Sequence, residues 1–225
     1  MKGIFAAVCI GLLLLSGCAT VHESGITKDD KTLSLNADEG MVLLSIQVSN
    51  RYKSDYQPQI IVVNVETPNA ASKKDRDNFK TDLDGSISSG DGTRYLMRMR
   101  LKEGQYIAQG AFCVYNSIFV HANCFLPIHA EFEVKANTVT YLGRVSAVMR
   151  ERKGDEFRAG SVIPLIDQSV SGFSSSTFDV TIDNHYDEDI KAFKSNFQAL
   201  RNETITNDIL SPFDREKAQL WWEKH

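Results

Sequence analysis

The spacing of apolar positions divides the chain into four stretches. Residues 3–15 form one apolar run behind Met1 and Lys2. Residues 19–38 are polar and show no sustained period. From Met41 a period of two takes over. Val42, Leu44, Ile46 and Val48 share one face, and residues 60–65 are a short β-branched run. Tyr95, Met97, Met99 and Leu101 alternate with a second set that holds Arg94, Arg98 and Arg100. Alternation places the two sets on opposite faces of a strand. Lys102-Glu103-Gly104 supplies a turn, and residues 105–114 are the predicted return strand.

Ile128, Ala130, Phe132 and Val134 alternate with charged or polar neighbours, and Ala136-Asn137 marks the next turn. Residues 139–150 are the longest predicted strand, with Val139, Tyr141, Gly143, Val145, Ala147 and Met149 on one face. Gly143 leaves a gap there that another backbone or ring can approach. Residues 162–166 and 178–182 are two further strand candidates, and Pro164 restricts the first to an edge or an irregular path. Residues 67–92 are polar and read as a loop or decorated connection rather than a buried element.

Near the C-terminus the period changes to that of a helix. Ile190, Phe193, Phe197 and Leu200 make one apolar stripe, behind Asp187, Glu188 and Asp189 at the end where the helix dipole favours negative charge. A second helix is predicted from Ser211, with Ser211 as cap, Pro212 in the first position and Asp214 completing a capping-box-like pattern. Leu220, Trp221 and Trp222 lie near its end.

Many short strands, each with one apolar face, and few helices predict a mainly β protein. The expected architecture is an antiparallel β-sandwich with one or two C-terminal α-helices. A closed barrel has the same local pattern and is the alternative. The expected divisions are 1–17 as a signal segment, 18–39 as a polar tether, 40–183 as the sandwich and 184–225 as a helical appendage.

The first stretch is too short to span a bilayer, which takes about 20 apolar residues. A basic start, an apolar run and small residues before a cut site read as a secretory signal. Leu15-Ser16-Gly17-Cys18 resembles the lipobox of bacterial lipoproteins. That resemblance implies acylation of Cys18, cleavage before it, and anchoring in the cell envelope. Ala19, in place of an aspartate that would favour inner-membrane retention, points to the outer membrane facing the periplasm. Two cysteines are then left over, Cys113 and Cys124. An even pair in an exported chain reads as a disulfide. Zinc held by those cysteines with His121 and His129 is the rival, but the spacing fits no familiar zinc motif.

A second resemblance rests on Leu101-Lys102-Glu103-Gly104-Gln105-Tyr106, Phe132-Glu133-Val134 and Thr140-Tyr141-Leu142-Gly143. These are similar to segments of uncharacterised lipoproteins with a transthyretin-like or carboxypeptidase-regulatory-like sandwich. The likeness covers about residues 41–150, implies the fold and transfers no functional residues.

The formal charge of −4 and the lack of a basic stripe argue against nucleic-acid binding. No nucleophile elbow, metalloprotease helix, phosphate loop or dinucleotide fingerprint is present. Asp82, Asp84 and Asp91 beside Gly85 could suit calcium, although the spacing is not that of an EF-hand. Arg94, Arg98 and Arg100 are candidate binding residues on a strand face, as are Trp221 and Trp222 at the chain end. The expected role is therefore non-enzymatic: an envelope lipoprotein with no cofactor, contacting the membrane through Cys18 and an envelope protein or wall glycan through its domain. A glycan- or lipid-binding module and a hydrolase with a dispersed site are the alternatives.

Overall fold

The computed structural model describes residues 20–90 and 92–224. The chain is mainly β and builds two packed sheets. The first sheet has the order β1 (Thr20–His22), β4 (Arg76–Lys80), β3 (Gln59–Glu66), β7 (Gly104–Asn116) and β8 (His121–Val134). The second has the order β10 (Ser176–Asp183), β9 (Val139–Glu151), β2 (Glu39–Asn50), β6 (Gly92–Lys102) and β5 (Ser86–Ser89). A short β11 (Ile205–Asn207) runs beside the start of β9. The sheets are mixed, which corrects the purely antiparallel expectation: β1 with β4, β2 with β9 and β11 with β9 are parallel pairs.

The main core lies between the sheets. Val42, Leu44, Ile46 and Val48 of β2 meet Tyr95, Met97, Met99 and Leu101 of β6 on one side. Ile128, Ala130, Phe132 and Val134 of β8 face them from the other. Cys113 and Cys124 are directly opposite on β7 and β8, with Cα atoms 4.9 Å apart, and are joined as a disulfide inside this core. The bond occupies the two sulfurs that a zinc site would need.

A second core covers the outer face of the second sheet. Met41, Leu43, Leu96, Val139 and Tyr141 pack there under Ile190, Phe193, Phe197 and Leu200. The predicted stripe is thus real, carried by α2 (Tyr186–Asn196) and a following 3-10 turn. Residues 184–225 are part of the body and not an appendage, because they also add β11 to the sheet and Leu210 and Ala218 to the main core.

β9 departs from strict alternation. Leu43 pairs with Tyr141 but Ser45 with Arg144, so β9 carries one extra residue at Leu142-Gly143. This bulge splits the face expected to be continuous: Val139 and Tyr141 enter the outer core, while Val145, Ala147 and Met149 enter the inner one. Gly143 has φ +104, a region open to glycine, and the Ile209 side chain and the Asp183 carbonyl close in on it.

Four other expectations change. Residues 67–92 contain β4 and β5, and Phe79 of β4 is a core residue, because β4, between β1 and β3, turns it into the sandwich interior. Residues 20–39 do not form a free tether: β1 pairs with β4, Ile26 is buried, and Leu33 and Leu35 pack on the outer core. Residues 162–166 form no strand; a cis Ile163–Pro164 bond leads into α1 (Leu165–Val170). The last helix, α3, spans Arg215–Lys224. Its cap is Asp214, whose Oδ1 accepts from the Lys217 N–H at 2.9 Å, rather than Ser211.

An ion cluster ties the end of β9 to β10 and α3. Arg150 donates to both Glu156 oxygens at 2.7 and 2.8 Å and to Asp179 at 2.8 Å, and Arg215 reaches Glu156 at 2.8 Å. The Arg150 hydrogen bonds hold the Glu156 carboxyl at about 2, against an ordinary 4.5. A depressed carboxylate contributes stability that is complete above its unfolded value and disappears as pH falls through its folded one. Glu156→Gln should therefore lower the urea midpoint above pH 4.5, with the gap to wild type closing as pH falls toward 2. A gap independent of pH would refute the assignment.

Candidate functional site

The arginines of β6 are not a solvated row. Arg98 is 2% exposed. Its Nε donates to the Ile26 carbonyl at 3.0 Å, its Nη1 to the Leu96 carbonyl at 2.5 Å and its Nη2 to Asp82. Its guanidinium lies 3.8 Å from the centre of the Phe197 ring. Burial pushes this guanidinium below its ordinary value, and Asp82 opposes that. Arg94 joins a second buried cluster. It donates to Asp189 at 3.0 Å and Glu188 at 2.5 Å. Arg144 donates to both Asp189 oxygens, and the Tyr141 hydroxyl donates to Asp189 at 2.6 Å. The β9 bulge brings Tyr141 and Arg144 to the same side, where α2 lowers Asp189 between them. Burial and the Asp189 hydrogen bond raise the Tyr141 phenol, so it stays protonated as a donor. Arg100 is the most exposed of the three and donates to the Gly25 carbonyl at 3.1 Å. Arg94 and Arg98 thus fasten α2 and residues 24–27 instead of forming an open face, while Arg100 keeps a partly exposed side chain.

The acidic residues considered for calcium are also committed. Asp82 holds Arg98, Ser24 and the Gly85 N–H, and Asp84 lies 3.3 Å from Lys28. Asp91 and Cys18 lie outside the described residues.

The tryptophans separate. Trp222 packs against the main core, with Arg152 over its ring at 5.6 Å. Trp221 turns over the outer face of the first sheet. It stacks on Phe125 with centroids 5.2 Å apart and tilts against His129 at 5.1 Å. Lys217, one turn earlier, donates to the His129 carbonyl at 2.8 Å and holds α3 on β8. Gly110 makes the aromatic seat possible: a Cβ there would lie 2.6 Å from the Phe125 ring.

This aromatic pair walls a groove of about 440 Å³ over the first sheet. Its floor is polar. Asn64 of β3 donates to Asn78 Oδ1 of β4 at 2.7 Å. Gln109 Nε2 donates to Glu66 at 2.5 Å, and Gln109 Oε1 accepts from His129 Nδ1 at 2.7 Å. Arg76 lies 3.5 Å from Glu66 on the far side. Four neighbouring strands thus contribute one continuous polar row. Gln109 joins it because β7 has an extra residue against β3 at this point, with Val65 opposite Ala108 and Asn64 opposite Gly110.

Sequence reasoning singled out Trp221 and missed the rest of the groove. The available signal was Phe125 at an outward position between inward Cys124 and Leu126, with Asn64 and Glu66 outward on β3. The irregularity that places Gln109 has no sequence marker except Gly110.

A second surface is apolar. Ile118 and Phe119 at the tip of the β7–β8 hairpin are 85% and 86% exposed. Ile163, Leu165 and Ile166 of the adjoining segment are also exposed. The His121 N–H donates to Asp167 at 3.0 Å and joins the two parts.

No helix among the described residues is long and apolar enough to cross a membrane. Compared with models of known families, with curated proteins and with solved structures, the chain matches none.

Proposed function

We propose that the protein is a lipid-anchored lipoprotein of the bacterial cell envelope, held through an acylated Cys18 at the outer membrane and facing the periplasm. In this reading its body has a non-enzymatic role and contacts a second envelope protein through the apolar tip of the β7–β8 hairpin. The reading draws its anchor from Leu15-Ser16-Gly17-Cys18. The transthyretin-like kinship stays part of it, supported by the sequence pattern of residues 101–106, 132–134 and 140–143 alone.

The observation that carries the contact role is the distance between anchor and tip. Thr20 pairs with Asp77, at the level of Val65 and Ala108 on β3 and β7. The hairpin closes beyond Asn116, a rise of roughly 26 Å along β7 at 3.3 Å per residue. Cys18 lies within about 7 Å of Thr20 by chain length. The tip is therefore on the order of 20 Å or more from the anchor, so the anchor itself does not cover it. An exposed cluster of large apolar side chains on such a tip fits a protein partner.

Cell fractionation tests both halves. Wild type is expected in the detergent-soluble membrane fraction and Cys18→Ser in the soluble fraction, with unchanged thermal unfolding. A photo-crosslinking residue at Phe119 is expected to trap one discrete protein species in wild-type cells. A Cys18→Ser protein that stays membrane-bound after signal cleavage overturns the anchor. A Phe119 probe that crosslinks only to lipid overturns the protein contact.

A further inference from the structure

We propose that the groove on the outer face of the first sheet binds a saccharide, with Trp221 and Phe125 as its aromatic wall and Asn64, Asn78, Glu66 and Arg76 as its polar contacts. Small-molecule sites are concave, mostly walled by apolar or aromatic groups, and carry a few fixed polar groups. The groove of about 440 Å³ has the concavity, an aromatic wall and fixed polar groups, on a floor more polar than most, and has room for a short oligosaccharide segment.

The chemistry of the lining selects the ligand class. A sugar ring has an apolar face of C–H bonds and a rim of hydroxyls, each both donor and acceptor. Trp221 is held in place by Phe125 and His129, so an aromatic surface is presented without much ordering cost. The rim would meet planar amides, a carboxylate and a guanidinium. Asn64 and Asn78 spend one amino group and one oxygen on each other, which leaves the Asn64 oxygen and the Asn78 amino group as a remaining acceptor and donor. Glu66 and Arg76 add a charged pair of opposite sign.

The same lining disfavours other classes. Arg76 is matched by Glu66, so the groove has no surplus positive charge for a phosphate. A lipid chain would cover the remaining Asn64 oxygen, Asn78 amino group and Glu66 carboxylate oxygen without offering them hydrogen bonds, which is costly. A peptide adding as a strand needs an open sheet edge. Here the groove lies on a sheet face, while α3 packs along the edge strand β8. An N-acetylated sugar adds a planar amide of its own, which pairs naturally with Asn64 and Asn78.

The inference is independent of the anchor and of the hairpin tip, and its test involves neither. The full chain in a detergent without a sugar headgroup is titrated with the trimer of N-acetylglucosamine, with cellotriose and maltotriose in parallel. Tryptophan fluorescence and calorimetry are the readouts. Saturable binding of at least one of the three is expected. Trp221→Ala should weaken it by about tenfold or more, as truncation of a central aromatic anchor does. Since Trp221 also packs on Phe125, the double variant Asn64→Ala/Asn78→Ala provides a second route, with a loss of similar size expected and unfolding temperature retained. Phe119→Ser at the distant tip should bind as wild type does. No binding of any of the three sugars overturns the proposal. So does binding that both groove variants keep in full, which would place the sugar elsewhere.

Discussion

Asp189→Ala should destabilise the protein by roughly 3–5 kcal/mol, the usual cost of removing one partner from a buried ion pair. Asp189 has no exposed surface. It accepts from Arg94, Arg144 and the Tyr141 hydroxyl, and the two arginine side chains are only 15% and 10% exposed. Truncation leaves both guanidiniums short of their buried counter-charge, with Glu188, 60% exposed, as the remaining acid. Asp189→Asn keeps the side-chain volume and an oxygen for Tyr141, but it loses the charge and turns one acceptor into an amino donor facing the arginines, so it should also cost stability. Urea unfolding of the two variants measures both. A loss under about 1 kcal/mol for Asp189→Ala would mean that solvent reaches the cluster and that α2 is not fixed by it.

The periodic parts of this fold were legible in the sequence. Val42 to Val48, Tyr95 to Leu101 and Ile128 to Val134 alternate because one face of each strand meets the opposite sheet, and the Ile190-to-Leu200 stripe meets a sheet in the same way. The disulfide followed from a leftover cysteine pair. What was not legible depends on contacts distant in sequence. Strand direction is one case: β2 and β9 run parallel although nothing local to either says so. The bulge at Gly143 is another, since a single extra residue moved Val139 and Tyr141 to a different core from Val145. Phe79 stood alone in a polar stretch, and a lone aromatic has no period to read. The β6 arginines misled for a physical reason. Alternation reports which face a side chain takes, not whether a third layer covers that face, and here α2 and residues 24–27 cover it. The groove was the least visible part, because its residues come from four strands and α3 and only their registers bring them together.

Arg98→Ala is the sharpest test of that third layer, and its expected cost is also roughly 3–5 kcal/mol, the range for large side chains removed from a packed core. The substitution removes the cation over Phe197 and leaves the Ile26 and Leu96 carbonyls without the donors they now have. It also frees Asp82 from its arginine. An arginine on a solvated binding row would behave differently, since surface substitutions mostly stay within about 0.5 kcal/mol. Asp82→Ala should cost less than Arg98→Ala, because the Asp82 side chain is 32% exposed and water can partly replace it beside the guanidinium. The local consequence separates a general loss of stability from the specific fastening. Ile26 is the only residue of 20–38 that is fully buried, and Arg98 holds its carbonyl. Under native conditions, trypsin should therefore cut the Arg98→Ala protein at Lys28 and Lys31 well before it cuts elsewhere, and faster than it cuts wild type. Equal cutting rates at those lysines would show that β1 and its pairing with β4 hold the segment without Arg98. On the proposed anchoring, faster cutting there would sever the piece that carries Cys18 and β1, so the rest of the body would leave the membrane.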